Sequence, residues 1–451
     1  MLTPQDILGS GGLIARRLDR YEHRQEQLAM ADAVYRAFCT KKHLAVEAGT
    51  GVGKSFAYLV PAILQTAGEI TAGQQTDSEL TGEESENVPP RAVVSTHTIS
   101  LQEQLLEKDI PFLQAVLPFE FTAVLVKGRS NYLCLRRFHT ALQKQDTLFD
   151  DRKGKEFQRL SEWSKNTDDG SKSSLNPEPD WEIWNETCCE TGNCSGKKCA
   201  HASKCFYNTA RRRIANAQIL VVNHALLFSD MAVRRQGGSI LPVYQYLIFD
   251  EAHTIEQAAA DHLGLSVTQS QIEYNLNRLY NGRTQKGLLM NTDIPAATAK
   301  SGQQAVEECF YGSELLFQYL SEWLQKRPGS NGRIREINVV SNPLAAPLRK
   351  LSAILREIAD KLPKPDDRTE LKSARDRMAD IAGNVNVWLT QSLPEDSVYW
   401  LESSFTGRGR QRISINASPI DIGPILREHL FNKTASVVLA SATLATGRQS
   451  S

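Results

Sequence analysis

Six short apolar runs punctuate the chain: HLAVE from His43, RAVVST from Arg91, FTAVLV from Phe121, QILVVN from Gln218, QYLIFD from Gln245 and SVVLAS from Ser436. Each ends beside polar residues, and most lead into a helical pattern. Continuous rather than alternating apolar character suits strands buried on both faces, so the pattern predicts an α/β domain built on a parallel sheet. Two long stretches interrupt these runs, from about 128 to 216 and from about 262 to 394. The second has helical periodicity: Leu348, Leu351, Leu355, Ile358 and Leu362 alternate spacings of three and four and form one apolar face. A third interruption, 68–90, carries six acidic residues and no Lys or Arg, and reads as a disordered surface insertion.

Composition adds bounds. With 451 residues, 41% hydrophobic and 23% charged, the chain predicts a globular protein of two or three domains. No apolar run approaches the roughly 20 residues that cross a bilayer, and the N-terminal stretch lacks a signal-peptide core. The expectation is a cytoplasmic protein with no membrane partner and reduced thiols. Formal net charge is zero, but Cys194 to Arg213 holds six Lys/Arg and no acid.

The clearest chemistry lies after the first run, in Ala48-Gly49-Thr50-Gly51-Val52-Gly53-Lys54-Ser55. This fits the Walker A phosphate loop, with Ala in place of the first Gly. Gly49, Gly51 and Gly53 free the backbone to wrap phosphate oxygens, and the following helix N-terminus adds partial positive charge. In that reading Thr50 belongs to the cradle, Lys54 reaches the β/γ-phosphates of ATP and Ser55 holds Mg²⁺. A second element, Asp250-Glu251-Ala252-His253, sits at the end of an apolar run, where α/β sheets place ligands. Asp250 suits the magnesium shell, and Glu251 suits orienting and deprotonating water. Adjacent acids there would also serve as a helix cap; pairing with a phosphate loop favours a nucleotide site.

Five of the eight cysteines fall between Cys188 and Cys205. In a reducing compartment such clustering points first to metal.

Together these stretches are similar to the iron–sulfur helicases of superfamily two, and within them to the bacterial DinG branch more than the XPD branch. Asp250 to His253 form a DEAH box. YEHRQEQ resembles the adenine-reading Q-motif, with Arg24 and Gln27 at the matching places. VVSTHTISLQEQL resembles motif Ia, and VVLASATLAT resembles motif III. KGRSNYLC, CFYNTARRR, ILVVNHALLFSDM and NASPIDIGPILREHLF complete the likeness. The resemblance implies a RecA-like P-loop NTPase sheet with an inserted iron–sulfur domain and a helical arch domain. It assigns 1–127, 217–261 and 395–451 to the first motor domain, 128–216 to the cluster and 262–394 to the arch. It implies a 4Fe–4S cluster on Cys134, Cys194, Cys199 and Cys205, with catalytic roles for Lys54, Asp250, Glu251 and His253. It leaves Cys39, Cys188, Cys189 and Cys309 as ordinary reduced cysteines.

By the same resemblance the protein is an ATP-dependent DNA helicase, expected to be a monomer, moving 5′ to 3′ on single-stranded or forked DNA in repair or replication. No second RecA-like domain is read in the chain, so an incomplete motor with slow hydrolysis is expected. A nucleic-acid-binding module without unwinding activity stays open. So does structural zinc, although only Cys194 and Cys199 approach the usual close pairing. Lys197, Lys198, Lys204, Phe206, Tyr207 and Arg211 to Arg213 read together as a DNA-contacting surface, with two packed aromatics beside a solvated helix face as the alternative. Thr406 to Arg412, TGRGRQR, superficially resembles an arginine-rich motif but reads as a loop or strand edge.

Overall fold

A computed structural model describes residues 2–18, 21–67, 89–143, 154–291, 293–327, 329–394, 396–405 and 411–444. The acidic insertion, apart from its last two residues, and Thr406 to Arg410 lie outside them. The ten strands are β1 (Leu44–Glu47), β2 (Ala92–Thr96), β3 (Ala123–Leu125), β4 (Ile219–Asn223), β5 (Tyr246–Asp250), β6 (Leu265–Thr268), β7 (Arg333–Ile334), β8 (Ser397–Phe405), β9 (Gln411–Pro419) and β10 (Ser436–Ser441). The chain divides into two compact units, one of residues 1–127, 210–263 and 421–451, the other of residues 128–209 and 264–420.

In the first unit, all six apolar runs become strands of one parallel sheet, ordered β1-β10-β5-β2-β4-β3. The pleat sends alternate residues to opposite faces. Val94, Ile219, Val221, Ile248 and Val438 enter one core with the helices Gln25–Cys39 and Lys54–Ala67. Val93, Leu220, Val222, Leu247 and Phe249 enter the other with the helix His224–Arg235. Full burial of each large side chain contributes about 1.5–3 kcal/mol. The order places the C-terminal ends of β1, β10 and β5 side by side, with Glu47 opposite Ser441 and Ala440 opposite Asp250.

The second unit is helical where the periodicity predicts it. The helix Ala345–Lys361 buries Leu348, Leu351, Leu355 and Ile358 against the helices Ala296–Gln325 and Pro365–Thr390. It also holds an antiparallel sheet, β6-β9-β8-β7, that the helical reading does not anticipate. Residues 396–420, assigned from sequence to the motor, fall in this unit because β8 and β9 pair with each other along nine residues and with β7 and β6.

A buried ion network ties the cysteine-bearing segment to these helices. Arg278 meets Glu186 at 2.8 Å, Glu190 at 3.2 Å and Glu370 at 3.4 Å. Glu190 also pairs with Arg137 and Arg377. Burial alone would raise the Glu190 carboxyl, but Arg278, Arg137 and Arg377 together hold it down at about 2.

Candidate functional site

The phosphate loop joins β1 to the helix Lys54–Ala67, whose first turn carries Lys54 and Ser55. Gly51 and Gly53 take φ of 87° and 81°, where a side chain is strained. A Cβ at Gly53 would also collide with the Gln27 amide. Gln27 Nε2 donates to the Gly53 carbonyl at 3.0 Å, and the Arg24 guanidinium donates to the Gly51 carbonyl. Both Q-motif candidates therefore rest on the loop. Gly49 and Thr50 are exposed at its mouth.

The acidic pair meets this loop across the sheet. Lys54 Nζ lies 3.3 Å from Glu251 Oε1. Asp250 is buried at the end of β5, where its Oδ2 accepts from Tyr58 Oη at 2.9 Å and its Oδ1 from the Glu251 N–H at 3.0 Å. Burial pushes the Asp250 carboxyl up, while Tyr58 and Lys54 pull it back. Glu251 adopts a left-handed φ of 55°, a conformation costing about 1 kcal/mol for a residue with a side chain. His253 Nδ1 sits 2.9 Å from Ser441 Oγ and 3.4 Å from Glu251 Oε2. The stretch that resembles motif III thereby touches the DEAH box directly. Ser441 Oγ accepts from the Thr443 N–H at 3.3 Å, and the Leu444 N–H donates to Glu47 Oε2 at 3.2 Å.

Behind β5, His224 is buried with Nδ1 2.6 Å from Ser95 Oγ on β2. Burial first, then neighbouring His97, brings its pKa down to about 4, so the ring is neutral at pH 7. Two groups of this site escape a motif reading. Tyr58 is one helical turn beyond Lys54, a spacing that places both on one face. The other, Asp109, stands far along the chain from the loop and has no such signal.

The four candidate ligands of the second unit line one small cavity: Cys134, Cys194, Cys199 and Cys205, with about 30 Å³ open to the centre of a water-sized sphere. Among the described residues no three His, Cys, Asp or Glu side chains form a group able to hold a metal ion. Cys134 immediately precedes the helix Leu135–Gln143, and Cys205 the helix Phe206–Asn216, positions where N–H groups favour a thiolate. The Gly196 N–H points at Cys194 Sγ at 3.4 Å. Cys189 lines the same cavity and is buried. The backbone explains its place: Leu133 pairs with Cys188 as an antiparallel bridge, which brings the Cys134 and Cys189 thiols within reach of each other. The Cys189 thiol, against the opposing effect of burial, draws Cys134 down to about 6 and is itself pushed up. Sequence spacing gives no hint of this fifth thiol. Cys188 and Cys309 are buried elsewhere and Cys39 is exposed.

The aromatics of the basic stretch are packed. Tyr207 lies edge-on to Tyr132, with the Arg129 guanidinium 4.3 Å from its ring centroid, and Phe206 packs on the core around Leu133. Lys197, Lys198, Lys204, Arg212 and Arg213 are exposed.

Residues 119–272 match the DEAD_2 family model. Over 98% of its length the chain is 29% identical to the ATP-dependent DNA helicase YoaA of Haemophilus influenzae, and spans 63% of that protein. It is 25% identical over 97% of its length to the 3′-5′ exonuclease DinG of Bacillus subtilis, spanning 47% of it. Over 57% of the chain it is 33% identical to the ATP-dependent helicase DinG of Mycobacterium tuberculosis, spanning 38% of that protein. A solved XPD helicase aligns over 94% of the chain with a TM-score of 0.47 and 12% identity. Among the described residues no helix is long and apolar enough to cross a membrane. By its sequence the chain is similar to helicases of the YoaA and DinG kind, and it spans less than two thirds of the length of each of these relatives.

Proposed function

We propose that this chain binds ATP with Mg²⁺ and couples its hydrolysis to movement along single-stranded DNA, as an ATP-dependent DNA helicase of the DinG type. The observation that carries the reading is the Lys54–Glu251 pair at 3.3 Å, beside a buried Asp250 and a DEAH histidine bonded to Ser441. Nucleotide draws Lys54 from Glu251 to the β/γ-phosphates and frees Glu251 to orient water and accept its proton. Ser55 and Asp250 supply the oxygens for Mg²⁺, which when bound offsets phosphate charge. Arg24 and Gln27 hold the loop and face the base. The His253–Ser441 contact links hydrolysis to the DNA-responsive motif III.

The lining of the cysteine cavity supports the reading of a 4Fe–4S cluster: the four candidate ligands border one apolar space together with Cys189, and two of the four stand at helix N-termini. Cys134, Cys194, Cys199 and Cys205 would hold it and tie down segments with a small core of their own. The exposed Lys197, Lys198 and Lys204 then present positive charge to single-stranded or forked DNA.

Lys54→Ala is expected to lower DNA-stimulated ATP hydrolysis by about 10²–10³-fold; unchanged turnover refutes the site. Anaerobic purification is expected to give about four irons and four sulfides per chain, lost in Cys199→Ser. Zinc without sulfide would replace the cluster reading with a structural zinc clip and leave the nucleotide site standing.

A further inference from the structure

Asp109 has no part in any motif, yet it reaches the nucleotide site. It ends the turn Leu105–Asp109, which is wound as a π-helix between the helices Ile99–Gln104 and Ile110–Val116. A π-turn inserts one residue into the helical ladder and re-aims the side chains beyond it, and such turns recur at functional sites. Here the carboxylate is 9% exposed and lies within reach of the Ser55 hydroxyl and the Gln104 amide. Its Oδ2 is buried with no hydrogen-bond partner. Together with Asp250 and Glu251 it acts electrostatically on Tyr58, which places three carboxylates around the base of the phosphate loop.

An unpartnered buried carboxylate oxygen is costly, and a fold that needed only packing there would be served by an apolar side chain. Lys54 is paired with Glu251, and neighbouring Lys108 offsets the charge only in part, since burial still holds the carboxyl up. A divalent cation on Ser55 answers the rest. We infer that Asp109 is a positioning residue for Mg²⁺: it holds the Ser55 hydroxyl proton, so that the oxygen lone pairs face the metal, and offers its free oxygen to water around the ion. Outer partners of this kind orient the ligand and raise metal affinity. The inference rests on the nucleotide reading above and extends it to a residue 54 positions from Ser55.

The test is equilibrium binding of a non-hydrolysable ATP analogue to the full chain across a Mg²⁺ titration. Asp109→Asn is expected to raise the Mg²⁺ concentration needed for half-maximal tightening by about 10–100-fold, with affinity in excess chelator unchanged. Ser55→Ala should show a similar loss, and adding Asp109→Asn to it should cost less than Asp109→Asn costs alone. An unchanged Mg²⁺ curve, an equal loss with and without Mg²⁺, or additive effects in the double variant overturns the inference. Collapse of the Asp109→Asn circular-dichroism melt also overturns it, because the role would then be structural. If the parent chain binds no nucleotide at any Mg²⁺ concentration, the nucleotide reading itself fails. Binding by the parent with an unaltered variant defeats only the role of Asp109.

Discussion

The two units bury polar groups by opposite means. In the first, apart from the Arg234–Asp230 pair, burial disfavours the charged forms of the groups around the phosphate loop and the end of β5: His224 is kept neutral under β5, and the carboxyls of Asp250 and Asp109 are pushed up. In the second, charges are buried together. Arg137, Arg278 and Arg377 interlock with Glu186, Glu190 and Glu370, and the carboxyl of Glu190 is held well below its usual range. Under the proposed function the difference reflects the task of each unit. A nucleotide site keeps carboxylates under-compensated so that an incoming cation has somewhere to go. A segment tied to helices across long loops uses paired charge to specify its seat.

Breaking the network should give the largest effect. Arg278→Ala leaves Glu186, Glu190 and Glu370 without their shared cation in a nearly sealed site, and should cost about 3–5 kcal/mol of the second unit's stability. Denaturant unfolding followed at Trp184 and Trp388 reads this directly. A loss under about 1 kcal/mol would mean that the pairs are solvated and the contrast is false.

Acid sharpens the comparison by separating the two units in pH. The unfolded Glu190 carboxyl titrates near 4.5 and the folded one near 2, so its contribution is complete above 4.5 and is lost as pH falls toward 2. That shift corresponds to about 3 kcal/mol, abolished in Glu190→Gln. His224 works in an earlier window. Its folded pKa near 4 lies below the ordinary 6.5, so the unfolded chain takes up the proton first, and the first unit weakens as pH drops from 6.5 to 4. Hydrogen exchange at stepped pH should show β4 and β5 opening before the helix Pro365–Thr390. The reverse order would refute the assignment.

A smaller effect tests the local scaffold of the sheet. Asn223 caps the helix His224–Arg235 through its side chain to the Leu226 N–H at 2.8 Å. Asn223→Ala should cost about 1 kcal/mol in the first unit, seen as a shift in its denaturation midpoint. The network-dependent transition of the second unit should not move.

Much of the first unit was legible because its information is local. Buried parallel strands need continuous apolar character, and a phosphate loop needs glycines, Lys and Ser in immediate succession. Hence all six runs become strands of one sheet, and Lys54 meets Glu251. Helical periodicity likewise exposed the buried face of Ala345–Lys361. It was silent about β6 to β9, where β6 joins β9 from about 150 residues away and β7 joins β8 from about 65, beside the local pairing of β8 with β9. Phe206 and Tyr207 read equally well as packed or base-stacking aromatics until Tyr132 and Leu133 were found beside them.

What the sequence by itself determined is therefore the sheet, the loop and the acidic box: features carried by neighbours along the chain. Only the tertiary structure decided that Asp109 approaches Ser55, that Cys189 joins four other thiols, and that Arg278 gathers three glutamates. An isolated Asp, Cys or Arg has no spacing to betray it. Its chemistry is set by burial and by charges brought from distant segments, and those exist only once the chain has folded.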